Sequence, residues 1–128
     1  MLQKAGEVRD LRPDDLPSVA RLFHHTFRRS DAAPASLVEY LRDVFLHHPW
    51  AQDGITSKVF VGPAGSVEGF IGVFPARFEH EGKSLRAAFA GSMVVERSDR
   101  NPLAGARLLR AFLAGPQDIS LTETANAV

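Results

Sequence analysis

Cysteine is absent from the 128-residue sequence, which excludes disulfides, thiolate nucleophiles and zinc–thiolate sites. Neither sign of charge is in excess, since fifteen Lys and Arg residues match fifteen Asp and Glu residues. Balanced charge provides no global field that would draw the protein to nucleic acid or to an anionic membrane. No apolar run approaches the roughly 20 residues of a membrane span, and the N-terminal segment lacks the apolar core of a signal peptide. We therefore expect a cytoplasmic protein that binds neither nucleic acid nor membranes.

A metal site is also not expected from the five histidines, His24, His25, His47, His48 and His80. Adjacent residues on a helix point about 100° apart, so neither adjacent pair can chelate one metal ion. No His-x-x-x-His spacing occurs. A favourable interaction with a helix C-terminus is a sufficient explanation for His47 and His48.

The composition is that of an ordinary globular protein, with 45% hydrophobic and 23% charged residues. A chain of this length can bury a core without disulfides or metal ions. Internal repeats, low-complexity tracts and linkers are not found. The sequence therefore predicts a single domain over residues 1–128.

The first half of the sequence predicts a short strand followed by two amphipathic helices. The strand is Val8–Leu11, and Asp14 is the expected cap of the first helix, with Pro17 in its first turn. Ser36 and Glu39 form a predicted capping box for the second helix, which ends before Pro49. The apolar faces are Leu16, Val19, Ala20, Phe23 and Phe27 on the first helix, and Leu37, Tyr40, Leu41, Val44 and Phe45 on the second.

The second half predicts a sheet with one further helix. The expected strands are Lys58–Val61, Val67–Phe78, Leu85–Val95 and Ile119–Thr122, and the helix is Pro102–Leu113. Pro75 indicates a bulge or an edge position, and the segment from His80 to Lys83 indicates a hairpin turn. The order β-α-α-β-β-β-α-β predicts an α/β (α+β) fold with a mixed sheet: an antiparallel meander followed by a right-handed crossover.

The segment Ala87–Leu113 contains the most suggestive pattern for function. A strand leads through a polar break into a helix, and the first amides of such a helix can bind an anion. The alternative is a plain connection in a mixed sheet. Glu123 follows the last strand, where two parallel strands would open a crevice. The alternative for Glu123 is a solvated residue at a strand end.

Three segments carry a resemblance to a known family. They are Val8-Arg9-Asp10-Leu11-Arg12-Pro13-Asp14-Asp15, Gly69-Phe70-Ile71-Gly72-Val73, and Met93-Val94-Val95 leading into Asp99 to Leu109. Together with the order of elements, they resemble the GNAT superfamily of acyl-CoA-dependent N-acyltransferases over nearly the whole chain. The resemblance implies that acetyl-CoA donates an acetyl group to an amine, in a small molecule or a peptide, without a metal ion.

The resemblance also implies roles for individual residues. The strand residues Met93, Val94 and Val95 would contact the pantetheine arm, and Asn126 would contact the cofactor from the start of a following helix. Glu123 would act as the general base. The pyrophosphate would lie on the loop and helix start formed by Arg100, Asn101, Leu103, Ala104, Gly105 and Ala106.

The loop departs from the family pattern at three positions. Asn101 and Leu103 stand where glycines are expected, and Pro102 has no amide to donate. Leucine also adds a side chain where the backbone should approach an anion, and it disfavours positive φ. We therefore expect a weakened anion site.

The sequence ends about where the family's next helix would begin, after the fifth strand. This suggests a fragment of a longer protein, a domain completed by another chain, or an inactive protein. An open edge on the last strand could also pair with a second copy, giving a homodimer. The alternatives to an acetyltransferase are thus a catalytically inactive GNAT-like binding or dimerisation module, and an unrelated α/β domain with the same strand order.

Overall fold

The computed structural model describes residues 6–28, 35–47, 54–96 and 101–122. A short 3-10 turn, Pro13–Asp15, precedes the first helix. The strands are β1 Glu7–Asp10, β2 Lys58–Val61, β3 Val67–His80, β4 Lys83–Val95 and β5 Ile119–Thr122, and the helices are α1 Leu16–Arg28, α2 Ala35–Phe45 and α3 Ala104–Leu113. The predicted order of elements is confirmed, with boundaries that differ by up to two residues.

The five strands form one sheet in the order β1-β2-β3-β4-β5. The first three pairs of neighbours are antiparallel, and β5 lies parallel to β4. The predicted α/β fold with a mixed sheet is therefore confirmed. β4 and β5 are parallel neighbours, so the observation that would have supported an unrelated domain is not made.

The two faces of the sheet have separate hydrophobic cores. Helices α1 and α2 cover one face, and α3 covers the other. The buried residues on the first face are Leu11, Leu16, Val19, Ala20, Leu41, Val59, Val61 and Phe70. Those on the second are Ile55, Phe60, Ile71, Val73, Ala88, Ala90, Ala104, Leu108 and Phe112. Burying each large apolar side chain contributes about 1.5–3 kcal/mol, so most of the folding free energy comes from these two layers.

The entry to α1 is capped by a different aspartate from the one predicted. Asp14 is exposed, whereas Asp15 is buried, and its Oδ2 accepts a 2.8 Å hydrogen bond from the Arg12 amide. The Arg9 guanidinium also donates to both carboxylate oxygens of Asp15, at 2.7 and 2.9 Å. The sequence pattern did not distinguish the two adjacent aspartates, because the partner on β1 that selects Asp15 is defined only by the tertiary fold.

Helix α2 corrects two further predictions. It begins at Ala35, so Ser36 lies inside the first turn and is not the N-cap residue of the predicted capping box. Tyr40 is 60% exposed and does not belong to the buried face, whose most buried member is Leu41. Pro49, the predicted stop of this helix, lies outside the described residues.

The irregularity in the long β3–β4 hairpin lies on β4, not at Pro75. Gly72 pairs with Ser92 and Val73 pairs with Ala90, which leaves Gly91 as an extra residue in a β-bulge. A Cβ atom on Gly91 would lie 2.6 Å from the Phe74 ring, so the close approach of this ring requires glycine. Pro75 pairs in register with β4 and lies beyond the last β2 pairing, at Ile71, which is a local edge position.

Candidate functional site

The described pairing between β4 and β5 is short and ends well before β4 does. It runs from Ala87–Ile119 to Ala90–Thr122. Beyond the bulge at Gly91, β4 continues to Val95 and pairs with β3 on one side only, among the described residues. The backbone N–H and C=O groups on its other side have no partner strand within residues 6–122 as described, and groups of this kind can pair with an extended ligand.

Beyond the bulge, β4 presents Met93 and Val95 to α3. A Cβ atom placed on Gly105 would lie 3.7 Å from Met93 Cε and 3.9 Å from Val95 Cγ2, so the first turn of α3 lies directly over these side chains. Met93 is nevertheless 50% exposed. Val94 is buried opposite Phe70 on the other face, so only its backbone can face a ligand in this opening.

The first turn of α3 has backbone donors without an acceptor in the described part of the chain. Leu103 occupies the N-cap position without a side-chain hydrogen bond to the helix. The Ala104 amide donates to the Asn101 carbonyl at 3.1 Å, and the Arg107 amide donates to Leu103. The amides of Gly105 and Ala106 have no acceptor among the described residues. Two adjacent free amides at a helix N-terminus are suited to bind an anionic group.

Leu103 has an ordinary backbone conformation at the start of α3. Its φ is −104°, an ordinary value for any L-residue, so no glycine is needed here for backbone conformation. Its side chain is 67% exposed. The weakened anion site predicted for this loop stays a prediction, and it rests on the added leucine side chain and on the missing amide of Pro102.

Glu68 places a carboxylate beside this helix start, which the sequence did not indicate. Its Oε1 accepts a hydrogen bond from Asn101 Nδ2 at 2.6 Å, across 33 residues of sequence. Arg107 projects from the same turn of α3, with its guanidinium 5.3 Å from the centroid of the Phe60 ring and donating to the Gly6 carbonyl. No local sequence pattern could reveal the contact between Glu68 and Asn101, because it depends on where β3 meets the loop.

Six of the predicted cofactor residues thus lie close together: Met93, Val95, Asn101, Ala104, Gly105 and Ala106. Val94 contributes its backbone, and Leu103 contributes the N-cap position. Arg100, Glu123 and Asn126 lie outside the described residues, so their predicted roles stay predictions. A glycine inside the strand at Gly91 was the one sequence signal that could have located the bulge.

A polar cavity of about 490 Å³ lies on the opposite face of the sheet, between α1 and the turn from β2 to β3. It is lined in part by the ion pair of Arg9 and Asp15. Burial alone would raise the pKa of Asp15, but hydrogen bonds from the Arg9 side chain and the Arg12 amide lower it below its usual value. The other lining residues are Ser18, Arg21, Leu22, His25, Gly65, Ser66, Val67 and Glu96. Glu96 lines this cavity, whereas its neighbour Val95 faces α3. Because successive side chains of an extended chain point to opposite faces of the sheet, the cavity is separate from the site under α3.

Within the described residues, no group of three His, Asp or Glu side chains could hold a metal ion. In the same residues, no helix is long and apolar enough to cross a membrane. The predicted lack of a metal cofactor remains a prediction from the sequence.

Solved acetyltransferase structures have a fold similar to that of this chain. A GNAT family acetyltransferase from Staphylococcus aureus is 14% identical, with a TM-score of 0.66 over 96% of this chain and 89% of that one. An acetyltransferase from Trypanosoma brucei is 20% identical, with a TM-score of 0.64 over 94% and 84%. A ribosomal-protein-alanine N-acetyltransferase from Brucella melitensis is 14% identical, with a TM-score of 0.68 over 96% and 83%.

No family model and no curated protein match the sequence. At identities this low, the structural likeness establishes the fold alone, which is that of GNAT-type acetyltransferases.

Proposed function

We propose that the chain is an N-acetyltransferase that moves an acetyl group from acetyl-CoA to an amine. The observation that carries this proposal is that, among the described residues, β4 has no partner on one side beyond Ala90, and this edge runs towards the unpaired amides of α3. An extended ligand that ends in an anionic group would satisfy both sets of donors. The fold, shared with GNAT-type acetyltransferases, supports the same assignment.

In the proposed complex, each part of acetyl-CoA meets groups of matching chemistry. The pantetheine arm pairs with the backbone of Met93–Val95 and packs on the Met93 and Val95 side chains. The diphosphate lies on the amides of Gly105 and Ala106, at the positive end of α3. Arg100 and Asn126 are proposed as further contacts, on the resemblance alone.

The reaction would be a direct transfer. The neutral amine attacks the thioester carbon, the new C–N bond forms, and the C–S bond breaks as the CoA thiolate leaves. Backbone N–H groups of β4 polarise the thioester carbonyl, and Glu123 is the proposed base that takes the proton from the amine. The thiolate takes a proton from solvent or from an acid that we do not assign.

The acceptor is proposed to be an amine of a small molecule or a peptide, and the reaction to take place in the cytoplasm. A homodimer that pairs the free edge of β5 is also proposed. All three proposals rest on the sequence.

Acetyl-CoA binding tests the proposed function. A ligand that binds only the folded state at 100 times its Kd adds about 2.7 kcal/mol of stability, so millimolar acetyl-CoA should raise the Tm by several degrees. Calorimetric titration of the folded protein should give a saturable isotherm. A folded sample with no shift in Tm and no binding heat would contradict the proposal.

The second candidate is a catalytically inactive binding module. It is favoured by the Glu68 carboxylate beside the loop and by the missing amide of Pro102. Leu103→Gly separates the two candidates. Because Leu103 has an ordinary φ and an exposed side chain, we expect the parent protein to bind acetyl-CoA and the variant to bind it equally well. Binding by the variant alone would favour the inactive module.

A further inference from the structure

Glu68 is held in place by three neighbours. Its Oε1 accepts from the Asn101 side-chain amide at 2.6 Å, and its Oε2 accepts from the Ser66 hydroxyl at 3.4 Å. A Cβ atom placed on Gly62 would lie within 2.5 to 2.8 Å of the Glu68 carboxylate atoms, so the carboxylate lies against bare backbone that only glycine leaves uncovered. The two hydrogen bonds and the close packing against Gly62 fix the position of the Glu68 carboxylate.

The hydrogen bond to Asn101 connects Glu68 to the donors of α3. While the side chain of Asn101 donates to Glu68, its backbone carbonyl accepts from the Ala104 amide. Ala104 is thereby occupied, and Gly105 and Ala106 are the first-turn amides left over. Glu68 therefore positions the loop that presents these two donors.

The same hydrogen bonds leave the negative charge of Glu68 in place. Its two donors within the described ranges, the Asn101 amide and the Ser66 hydroxyl, are uncharged. A carboxylate beside a helix N-terminus is stabilised by the helix dipole as long as no other anion is bound there. A polyanion that approaches the same helix start must do so against the repulsion of Glu68.

We propose that Glu68 is a positioning residue that orders the Asn101 loop and at the same time weakens the binding of acetyl-CoA by charge repulsion. This inference rests on the proposed function, because it places the diphosphate at the start of α3. The two effects of Glu68 are separable by substitution. Glutamine keeps an acceptor for Asn101 and removes the charge, whereas alanine removes both.

The charge effect is tested by titrating acetyl-CoA into the wild type, Glu68→Gln and Glu79→Gln by calorimetry. Glu79 is an exposed carboxylate at the far end of the β3–β4 hairpin, so its substitution makes the same change in net charge away from α3. At low ionic strength we expect Glu68→Gln to bind roughly three- to tenfold more tightly, as expected for Coulomb repulsion over several ångströms, and Glu79→Gln to bind like the wild type. The gain should shrink at high ionic strength.

The outcomes separate the inference from the proposed function. If the wild type binds acetyl-CoA and Glu68→Gln binds no more tightly than Glu79→Gln, the repulsion by Glu68 is refuted and the proposed function stands. If none of the three proteins binds acetyl-CoA while folded, the proposed function is refuted and the repulsion with it.

The positioning effect has a readout that needs no ligand. The chain has two asparagines, Asn101 and Asn126, so the side-chain amide signals of Asn101 can be assigned by NMR. We expect these protons to exchange slowly in the wild type and in Glu68→Gln, and to exchange rapidly in Glu68→Ala. Equal exchange rates in the wild type and Glu68→Ala would overturn the positioning role.

Discussion

The turn that leads into α1 is closed by the protein's own carboxylate, whereas the start of α3 has no side-chain cap. Asp15 accepts hydrogen bonds from the Arg12 amide and from Arg9, and it is buried. At α3 the N-cap residue is Leu103, and the amides of Gly105 and Ala106 have no acceptor among the described residues.

This difference separates a structural helix start from one that is available for binding. A missing cap costs about 0.5–2 kcal/mol, which a chain can avoid with a single Ser, Asp or Asn. At α1 the donors and the carboxylate that accepts from them, Asp15, belong to the same fold. At α3 the amides of Gly105 and Ala106, which lack an acceptor in the described residues, lie beside the unpaired edge of β4. An external anion could accept hydrogen bonds from them.

The largest expected effect comes from opening the start of α1. Asp15→Asn removes the charge that receives both hydrogen bonds from Arg9, and hydrogen bonds to charged groups contribute about 1.5–3 kcal/mol. Because Arg9 is half-buried and Asp15 is buried, we expect a loss of about 2 kcal/mol in urea denaturation. Asp14→Asn is the matched control, since Asp14 is exposed, and should change the stability little. Equal losses for both variants would contradict the assignment of Asp15 as the cap.

The pH dependence of stability tests the charge of Asp15 in the wild-type protein, without a substitution. The folded-state pKa of Asp15 is lowered, so its contribution is complete above the unfolded pKa of about 3.9 and is lost as the pH falls through the lower folded value. The free energy of unfolding of the wild type should therefore approach that of Asp15→Asn below about pH 4. Denaturation curves of both proteins across this range measure the difference. A gap that stays constant down to the lowest pH would show that the charge of Asp15 is not its source.

At α3, by contrast, the first turn can be improved. Gly105→Ala adds a methyl group 3.7 Å from Met93 Cε and 3.9 Å from Val95 Cγ2, which are ordinary contact distances. Replacing helical glycine by alanine contributes about 0.5–1 kcal/mol, so we expect the Tm to rise by a few degrees. The reverse change at the next position, Ala106→Gly, should lower it by a similar amount. A destabilised Gly105→Ala would mean that α3 packs on β4 more tightly than these distances indicate.

The smallest expected effect comes from closing α3 with its own anion. Leu103→Asp places a negative charge at the helix start and should stabilise it by about 0.5 kcal/mol. The same charge should weaken acetyl-CoA binding, since it competes for the donors that the diphosphate needs. Leu103→Asn, which is uncharged, serves as the control. If Leu103→Asp binds acetyl-CoA as well as Leu103→Asn does, the diphosphate does not lie at this helix start.

Most of the fold could be predicted from the sequence because it depends on local periodicity. The predicted bounds of β5 and the end of α3 at Leu113 are confirmed, since apolar spacing and the Gly115-Pro116 turn define them. The local pattern gave the wrong residue where a partner from another element selects one of two similar residues. Asp15 is selected over Asp14 by Arg9, and Tyr40 is left exposed because α2 turns a different stripe to the sheet.

The elements that form the site could be predicted from the sequence, but the charged side chain that lies beside them could not. The strand, loop and helix that form it are contiguous in sequence, so the pattern from Met93 to Ala106 located them. Glu68 comes from another strand, 33 residues away from Asn101, and no spacing links the two. The φ of −104° at Leu103 could not be derived from the sequence, because the backbone angles of a loop depend on how the flanking elements are anchored.

The bulge at Gly91 also sets the phase of β4. Before it, the even-numbered Ala88 and Ala90 face α3, and after it the odd-numbered Val95 packs into the same core. A strand with strict alternation would turn Met93 and Val95 to the α1 side and present Val94 to α3 instead. The bulge takes up Gly91 as an extra residue and thereby keeps Met93 and Val95 on the side of the opening. Deleting Gly91 would remove the bulge and leave Met93 and Val95 facing α3, because the residues on either side of Gly91 already pair with consecutive residues of β3.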